Sequence, residues 1–140
     1  MLIVVIDGQG GGIGRQIIER LRPQIEPGRH TIAAVGTNSL ATSAMLKAGA
    51  DCGATGENAV CVMAKKADVI AGPIGILLAD SMMGELSEKM AACVARSDAF
   101  KVVVPVGKCR VRVAGGANVT LQEAAADAAA QVLALIQSEK

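Results

Sequence analysis

The sequence predicts a small, doubly wound α/β domain: a mostly parallel sheet between two layers of helices. Three observations predict it. Short aliphatic runs alternate with helix-length amphipathic segments along the chain, and strands that are joined through helices run parallel. The first run, Leu2 to Ile6, is aliphatic at every position, as in a strand buried on both faces. The length of 140 residues, 51% hydrophobic and 19% charged, fits one domain over 1–140 that buries a core without metal or disulfide.

Each element follows from its residues. After strand one and a glycine-rich turn, Ile13, Ile17, Ile18 and Leu21 form the apolar stripe of helix one. Arg15 and Glu19 stand one turn apart on its outer face. Pro23 ends that helix and Pro27-Gly28 turns the chain. Thr31 to Val35 is strand two. Asn38 or Ser39 caps a helix that runs to Ala48, and Gly49 stops it. Ala50 to Ala54 reads as a short strand three, and Glu57 to Lys66 as a helix with Lys65 and Lys66 in its last turn. Asp68 to Ala71 is strand four. Glu85 to Arg96 is a helix with Leu86, Met90, Cys93 and Val94 on one face, and Lys101 to Val104 is strand five. Arg110 to Val113 alternates Arg and Val, as an exposed edge strand does. Thr120-Leu121-Gln122-Glu123 is a capping box for the last helix, whose stripe is Leu121, Ala125, Ala128, Val132, Leu135 and Ile136.

Composition excludes several function classes. With one Phe, no Tyr and no Trp, the chain cannot stack nucleic-acid bases on aromatics. Fourteen basic and thirteen acidic residues give a formal charge of +1, which steers the protein toward neither nucleic acid nor membrane. Asp7 interrupts the first apolar run long before a membrane span or signal segment is complete, so a cytoplasmic location is expected. Cys52, Cys61, Cys93 and Cys109 are too far apart in sequence for a zinc or redox motif, and His30 is the single histidine. No metal site is expected, and the cysteines read as reduced, mostly buried hydrophobes. Cys109, flanked by Lys108 and Arg110, is the one with a reason for a lowered pKa.

The motif that carries chemistry is Asp7-Gly8-Gln9-Gly10-Gly11-Gly12-Ile13-Gly14-Arg15-Gln16, directly after strand one. Five of the seven residues from 8 to 14 are glycine, more than helix-on-strand packing needs. Glycines allow a tight turn and close approach of a bulky anion to the backbone. The helix N-terminus then turns its N–H groups and dipole toward a phosphate. A Gly-Lys-Ser/Thr sequence is absent, which disfavours a nucleoside triphosphate P-loop.

Gly8-x-x-x-Gly12-x-Gly14, with Gly12-Ile13-Gly14-Arg15, resembles the cofactor turn of short-chain dehydrogenases. Asp68-Val69-Ile70-Ala71-Gly72 resembles, more distantly, their fourth strand. The chain lacks their Tyr-x-x-x-Lys and is much shorter, so the resemblance implies the cofactor turn and not the chemistry. The stretches IDGQGGGIG, GTNSLATSAMLKAGAD, GATGENAV and ADVIAGPIGILLADS are similar to a family of short bacterial proteins known as a domain of unknown function. That resemblance implies a Rossmann-like nucleotide-binding fold.

The ligand is expected beyond the carboxyl ends of the strands, at the switch point of strand order. The expected site comprises Gly8, Gln9, Gly10, Gly11, Gly12, Ile13, Gly14 and Arg15, then Thr37, Asn38 and Ser39 after strand two, and Gly72, Pro73 and Ile74 after strand four. NAD enzymes place an acid at the end of strand two. Here Val35-Gly36-Thr37-Asn38-Ser39 carries none before Asp51, which tilts the expected cofactor toward NADP over NAD. Thr37, Asn38 and Ser39 either donate to a 2′-phosphate, with Arg15 as the nearest cation, or simply cap helix two.

Other groups carry less. His30 precedes strand two, at the amino edge opposite the site. Asp7 reads as an acid–base group or a turn-capping carboxylate, and capping is preferred. Asp80, Ser81 and Glu85 follow strand four, where catalytic groups of such folds lie, or are loop and helix-entry residues. Lys101, Lys108, Arg110 and Arg112 hold phosphate or protect a sheet edge, and the second is preferred. Three functions therefore fit. The first is a nucleotide- or dinucleotide-binding module acting as sensor, carrier or partner subunit. The second is an enzyme on a phosphorylated metabolite, using Asp7, Asp80 or Lys108. The third is a structural or regulatory oligomer without ligand. The apolar run Ile74 to Ala79, with Met82-Met83, is expected to face another copy of the chain in a homodimer. A lid hinged at Gly72, Gly75 and Gly84, or a buried segment, are the other readings.

Overall fold

The computed structural model describes residues 1–105, 110–116 and 118–138. Five strands form one sheet in the order β3-β2-β1-β4-β5: β1 Leu2–Asp7, β2 Thr31–Gly36, β3 Cys52–Thr55, β4 Val69–Pro73 and β5 Phe100–Val104. Every neighbouring pair is parallel. The helices are α1 Gly12–Leu21, α2 Ser39–Lys47, α3 Glu57–Lys66, α4 Glu88–Arg96 and α5 Leu121–Ser138. The fold is thus the expected Rossmann-like α/β arrangement.

Two cores follow from the pleat, because alternate residues of a strand face opposite sides. Ile3 and Val5 of β1 pack with Ile17, Ile18 and Leu21 of α1, Met45 of α2, and Val132 and Ile136 of α5. Val4 and Ile6 pack with Val60 and Ala64 of α3, and Met90 and Val94 of α4. The chain therefore winds α1 and α2 over one face and α3 and α4 over the other. The direction changes between β1 and β4, and the crevice of the fold opens there.

Several boundaries differ from the sequence reading. Strand three begins at Cys52 rather than Ala50, because the Asp51 carboxylate takes the Ile32 N–H at 2.8 Å. Helix α4 begins at Glu88 rather than Glu85, because the Ser87 hydroxyl accepts the Met90 N–H at 3.2 Å and caps it. Glu85 is thereby released into the preceding loop. Arg110 to Val113 is not a strand: all four residues are exposed, so no buried face fixes a pleat. Thr120 caps α5 by accepting the Glu123 N–H at 3.1 Å, but Leu121 is 42% exposed and leaves the apolar stripe.

The apolar run after β4 is mostly internal. Ile74–Leu77 forms a 3-10 turn with Gly75 and Ile76 buried, while Met83 is 96% exposed. The buried reading holds for Gly75 and Ile76, whereas Ile74, Leu77 and Leu78 are half-buried and Ala79 is exposed. The cysteine reading also needs correction. Cys61 on α3 and Cys93 on α4 face each other and form a disulfide, with Cα atoms 5.1 Å apart. The pairing is invisible in the sequence because it depends on two helices packing side by side. Cys52 is free and exposed, and Lys108 and Cys109 lie outside the described residues. Among the described residues no helix is long and apolar enough to cross a membrane.

Candidate functional site

The glycine turn joins β1 to α1 at the carboxyl edge of the sheet. Asp7, the last residue of β1, is 4% exposed. Its carboxylate accepts the N–H groups of Gly8 and Gly14, each at 2.7 Å. The side chain therefore caps the turn and the start of α1 from within. Burial pushes the Asp7 carboxyl above its ordinary value; the backbone N–H groups of Gly14, Gly8 and Ile13 oppose that shift, and the nearby Glu85 charge adds to it.

The glycines divide by what surrounds them. Gly11 has φ 72°, and a Cβ there would stand 2.9 Å from the Ala41 carbonyl oxygen. A Cβ on Gly8 would crowd Met82 and Thr37, and one on Gly14 would crowd Met45. These three are required by the fold. Gly10 and Gly12 are not: a Cβ on either would meet nothing within 4 Å, and neither has a positive φ. Among the described residues their N–H groups make no hydrogen bond.

A crevice of about 720 Å³ opens beside the turn, within the size range of small-molecule sites. Asp7, Gly8, Gln9 and Ile13 line it from the β1 side, and Pro73 and Gly75 from the β4 side. The loop after β4 adds Leu78, Ala79, Asp80, Ser81, Met82 and Met83, and the exposed segment adds Arg110 and Val111.

That loop also crosses the turn. Oε1 of Glu85 accepts the Gln9 N–H at 2.9 Å, the Thr37 hydroxyl at 2.8 Å and the Asn38 amide at 2.7 Å. These donors hold the Glu85 carboxyl below its ordinary value; the Gln9 N–H contributes most. Asn38 Nδ2 donates as well to the Gln9 carbonyl at 3.0 Å, and Asn38 Oδ1 caps α2 by accepting the Ala41 N–H at 2.9 Å.

The expected site residues are thus brought together only in part. Gly8, Gln9, Ile13 and Pro73 line the crevice, and Gly10, Gly11, Gly12 and Gly14 build the turn beside it. Thr37 and Asn38 join the turn through Glu85. Ser39 is the exposed first residue of α2, and Ile74 opens the 3-10 turn; neither lines the crevice. Gly72 is buried, and a Cβ there would press on the Ile6 carbonyl of the neighbouring strand. Arg15 pairs with Glu19 at 2.8 Å along its own helix. His30 stands at the amino edge, 2.9 Å from the N-terminal amine, as expected. The sequence reading left Leu78 and Met82 between the ligand and another copy of the chain, and it missed Val111 as a lining residue. It also missed the reach of Glu85, which places a carboxylate at the end of β2 from a distant loop. The premise for preferring NADP, that no acid stands there, does not hold.

The sequence model of the family described as Domain of unknown function (DUF3842) matches residues 2–137. No curated protein matches the chain. Among solved structures, the chain is similar to a dodecameric FMN-dependent UbiX-like decarboxylase from Escherichia coli O157:H7. The identity is 15% and the TM-score 0.44, over 92% of this chain and 75% of that one.

Proposed function

The chain belongs to the DUF3842 family, and we propose that it is a nucleotide-binding module whose ligand sits at the glycine turn and extends into the adjoining crevice. One observation carries the reading: the open flank of Gly10 and Gly12. Glycine in place of alanine costs a folded chain roughly 0.5–1 kcal/mol. At Gly8, Gly11 and Gly14 the fold itself needs the missing side chain; at Gly10 and Gly12 nothing within the described chain does. A ligand that approaches the backbone closely would. Two N–H groups at the positive end of α1 suit a phosphate. Leu78, Ala79, Met82 and Val111 offer apolar surface to a base or ring, and Arg110 supplies a cation on the same lining. The module acts as a sensor, a carrier or a partner subunit, in a homodimer, with the dinucleotides NAD and NADP as the first ligands to test.

A second reading, an enzyme on a phosphorylated metabolite, has one observation in its favour. Asp7 is a buried carboxyl of raised pKa on the crevice lining, the kind of group found at catalytic sites. Both of its oxygens already accept backbone N–H groups, which is why binding stands first.

Thermal unfolding with inorganic phosphate, ADP, NAD+ and NADP+ tests the proposal. A ligand that binds only the folded state at a hundredfold its Kd adds about 2.7 kcal/mol, so the transition should move clearly upward with at least one nucleotide. No shift with any of the four would reject the reading. Because the chain has no Trp and no Tyr, NADH and NADPH fluorescence gives an independent titration with little protein background.

A further inference from the structure

We infer that Glu85 determines which nucleotide this site takes: its second carboxylate oxygen accepts the ribose 2′- and 3′-hydroxyls, and the site excludes a nucleotide bearing a 2′-phosphate. The inference rests on the nucleotide-binding reading and deepens it.

The geometry is that of an anchored, half-used carboxylate. Oε1 takes three donors, from Gln9, Thr37 and Asn38. Oε2 makes no hydrogen bond among the described residues. A carboxylate accepts about four hydrogen bonds over its two oxygens, so Oε2 has capacity for a pair of vicinal hydroxyls. The position also suits a ribose. Gln9 belongs to the glycine turn, and Thr37 and Asn38 follow β2. Glu85 therefore bridges the glycine turn and the end of the neighbouring strand β2.

The loop is built to hold the side chain there. Asp80 N–H donates to the Leu86 carbonyl at 2.8 Å, Ser81 Oγ to the Gly75 carbonyl at 2.6 Å, and Glu85 N–H to the Met82 carbonyl at 3.1 Å. Asp80, Met82 and Met83 have φ of 63°, 56° and 57°. Non-glycine residues persist in that region only where their surroundings over-determine them, and such strain gathers at ligand sites.

Among the described residues, the groups that meet Glu85 carry no positive charge. The Thr37 hydroxyl and the Asn38 amide already donate to Glu85. Arg15 is engaged with Glu19. A second anion beside Glu85 would meet a like charge. The three donors that anchor the carboxylate also keep it ionised.

The test compares Kd for NAD+ and NADP+, which differ only in the 2′-phosphate, with 2′-deoxy-NAD+ as a third probe. For the unmodified protein NAD+ should bind at least about tenfold tighter than NADP+, and 2′-deoxy-NAD+ should bind more weakly than NAD+. Glu85→Gln keeps the shape and removes the charge, and should narrow the NAD+/NADP+ ratio by about tenfold, largely by improving NADP+. A purely structural Glu85 would weaken both ligands alike and leave the ratio unchanged, which would overturn the inference. NADP+ binding as tightly as NAD+ to the unmodified protein, or 2′-deoxy-NAD+ binding as tightly as NAD+, would also overturn it; neither comparison needs a variant to fold. Absence of binding by all three would overturn this inference; the nucleotide reading falls with it only if ADP and inorganic phosphate also leave the melting temperature unmoved.

Discussion

Oε1 of Glu85 accepts the backbone N–H of Gln9 at 2.9 Å across 76 positions of sequence. From the other side of the turn, Asp7 accepts the N–H groups of Gly8 and Gly14. Two of the protein's own carboxylates thus take part of the turn's donor set, and Gly10 and Gly12 stay open between them. The stability of the turn and the ligand preference proposed for it are separable experimentally, because the proposal assigns different glycines and different acids to each.

Gly11→Ala should destabilise the fold. A left-handed conformation costs a non-glycine residue roughly 1–2 kcal/mol, and the new Cβ would press on the Ala41 carbonyl at 2.9 Å. A loss of about 1–3 kcal/mol is expected from the urea midpoint. Gly10→Ala, facing open space, should stay within about 0.5 kcal/mol of the parent. Equal losses at the two positions would contradict this division of the turn.

Asp7→Asn should be destabilising in a pH-dependent way. An amide oxygen replaces only one of the two acceptors, so a buried N–H loses its partner, at about 1–3 kcal/mol. The Asp7 carboxyl is raised from 3.8 in the folded chain. Its contribution to stability is therefore complete below 3.8 and is lost as pH rises through the raised folded value. The advantage of Asp7 over Asn should narrow in that direction, as measured by denaturation at a series of pH values. An advantage that widens with pH would reverse the assignment.

Glu85 gives the opposite slope. Its pKa is lowered from 4.5 on folding, so its contribution is present above 4.5 and is lost as pH falls through the lower folded value. The Glu85→Gln variant should lack this loss on the acid side. Parallel melting-temperature curves for the two proteins below 4.5 would show that the three donors do not favour the charged form.

Static light scattering should report the mass of a homodimer. Leu77 and Leu78 are half-buried in the domain, and Leu78 lines the crevice. Leu78→Lys is therefore expected to leave the mass unchanged and to weaken nucleotide binding. A monomer mass for the parent protein would reject the dimer, and dissociation by Leu78→Lys would return the interface to this segment.

Much of the architecture was legible because it is written in local patterns. The aliphatic run Leu2 to Ile6, the Asn38 cap and the stripe of α1 each specify an element without reference to the rest of the chain. The glycine turn was legible as the link between β1 and α1 for the same reason. What escaped were relationships set by packing at a distance. Glu85 looked like a helix-entry residue because Ser87 was not recognised as the cap, and its reach to Gln9 and Thr37 exists only once β2 and β4 flank β1. The Cys61–Cys93 pairing needs α3 beside α4. Arg110 to Val113 alternates as a strand does, yet has no buried face to make the alternation meaningful.

The central claim is that Gly10 and Gly12 are glycine for the sake of a ligand. The most direct measurement is the NAD+-induced stabilisation of Gly10→Val and Gly12→Val beside the unmodified protein, by thermal unfolding and calorimetric titration. Because a Cβ at either position would meet nothing within 4 Å, both variants should fold, with ligand-free stabilities within about 1 kcal/mol of the parent. Both should lose the ligand-induced shift. Variants that fold normally and bind NAD+ with unchanged affinity would contradict the account.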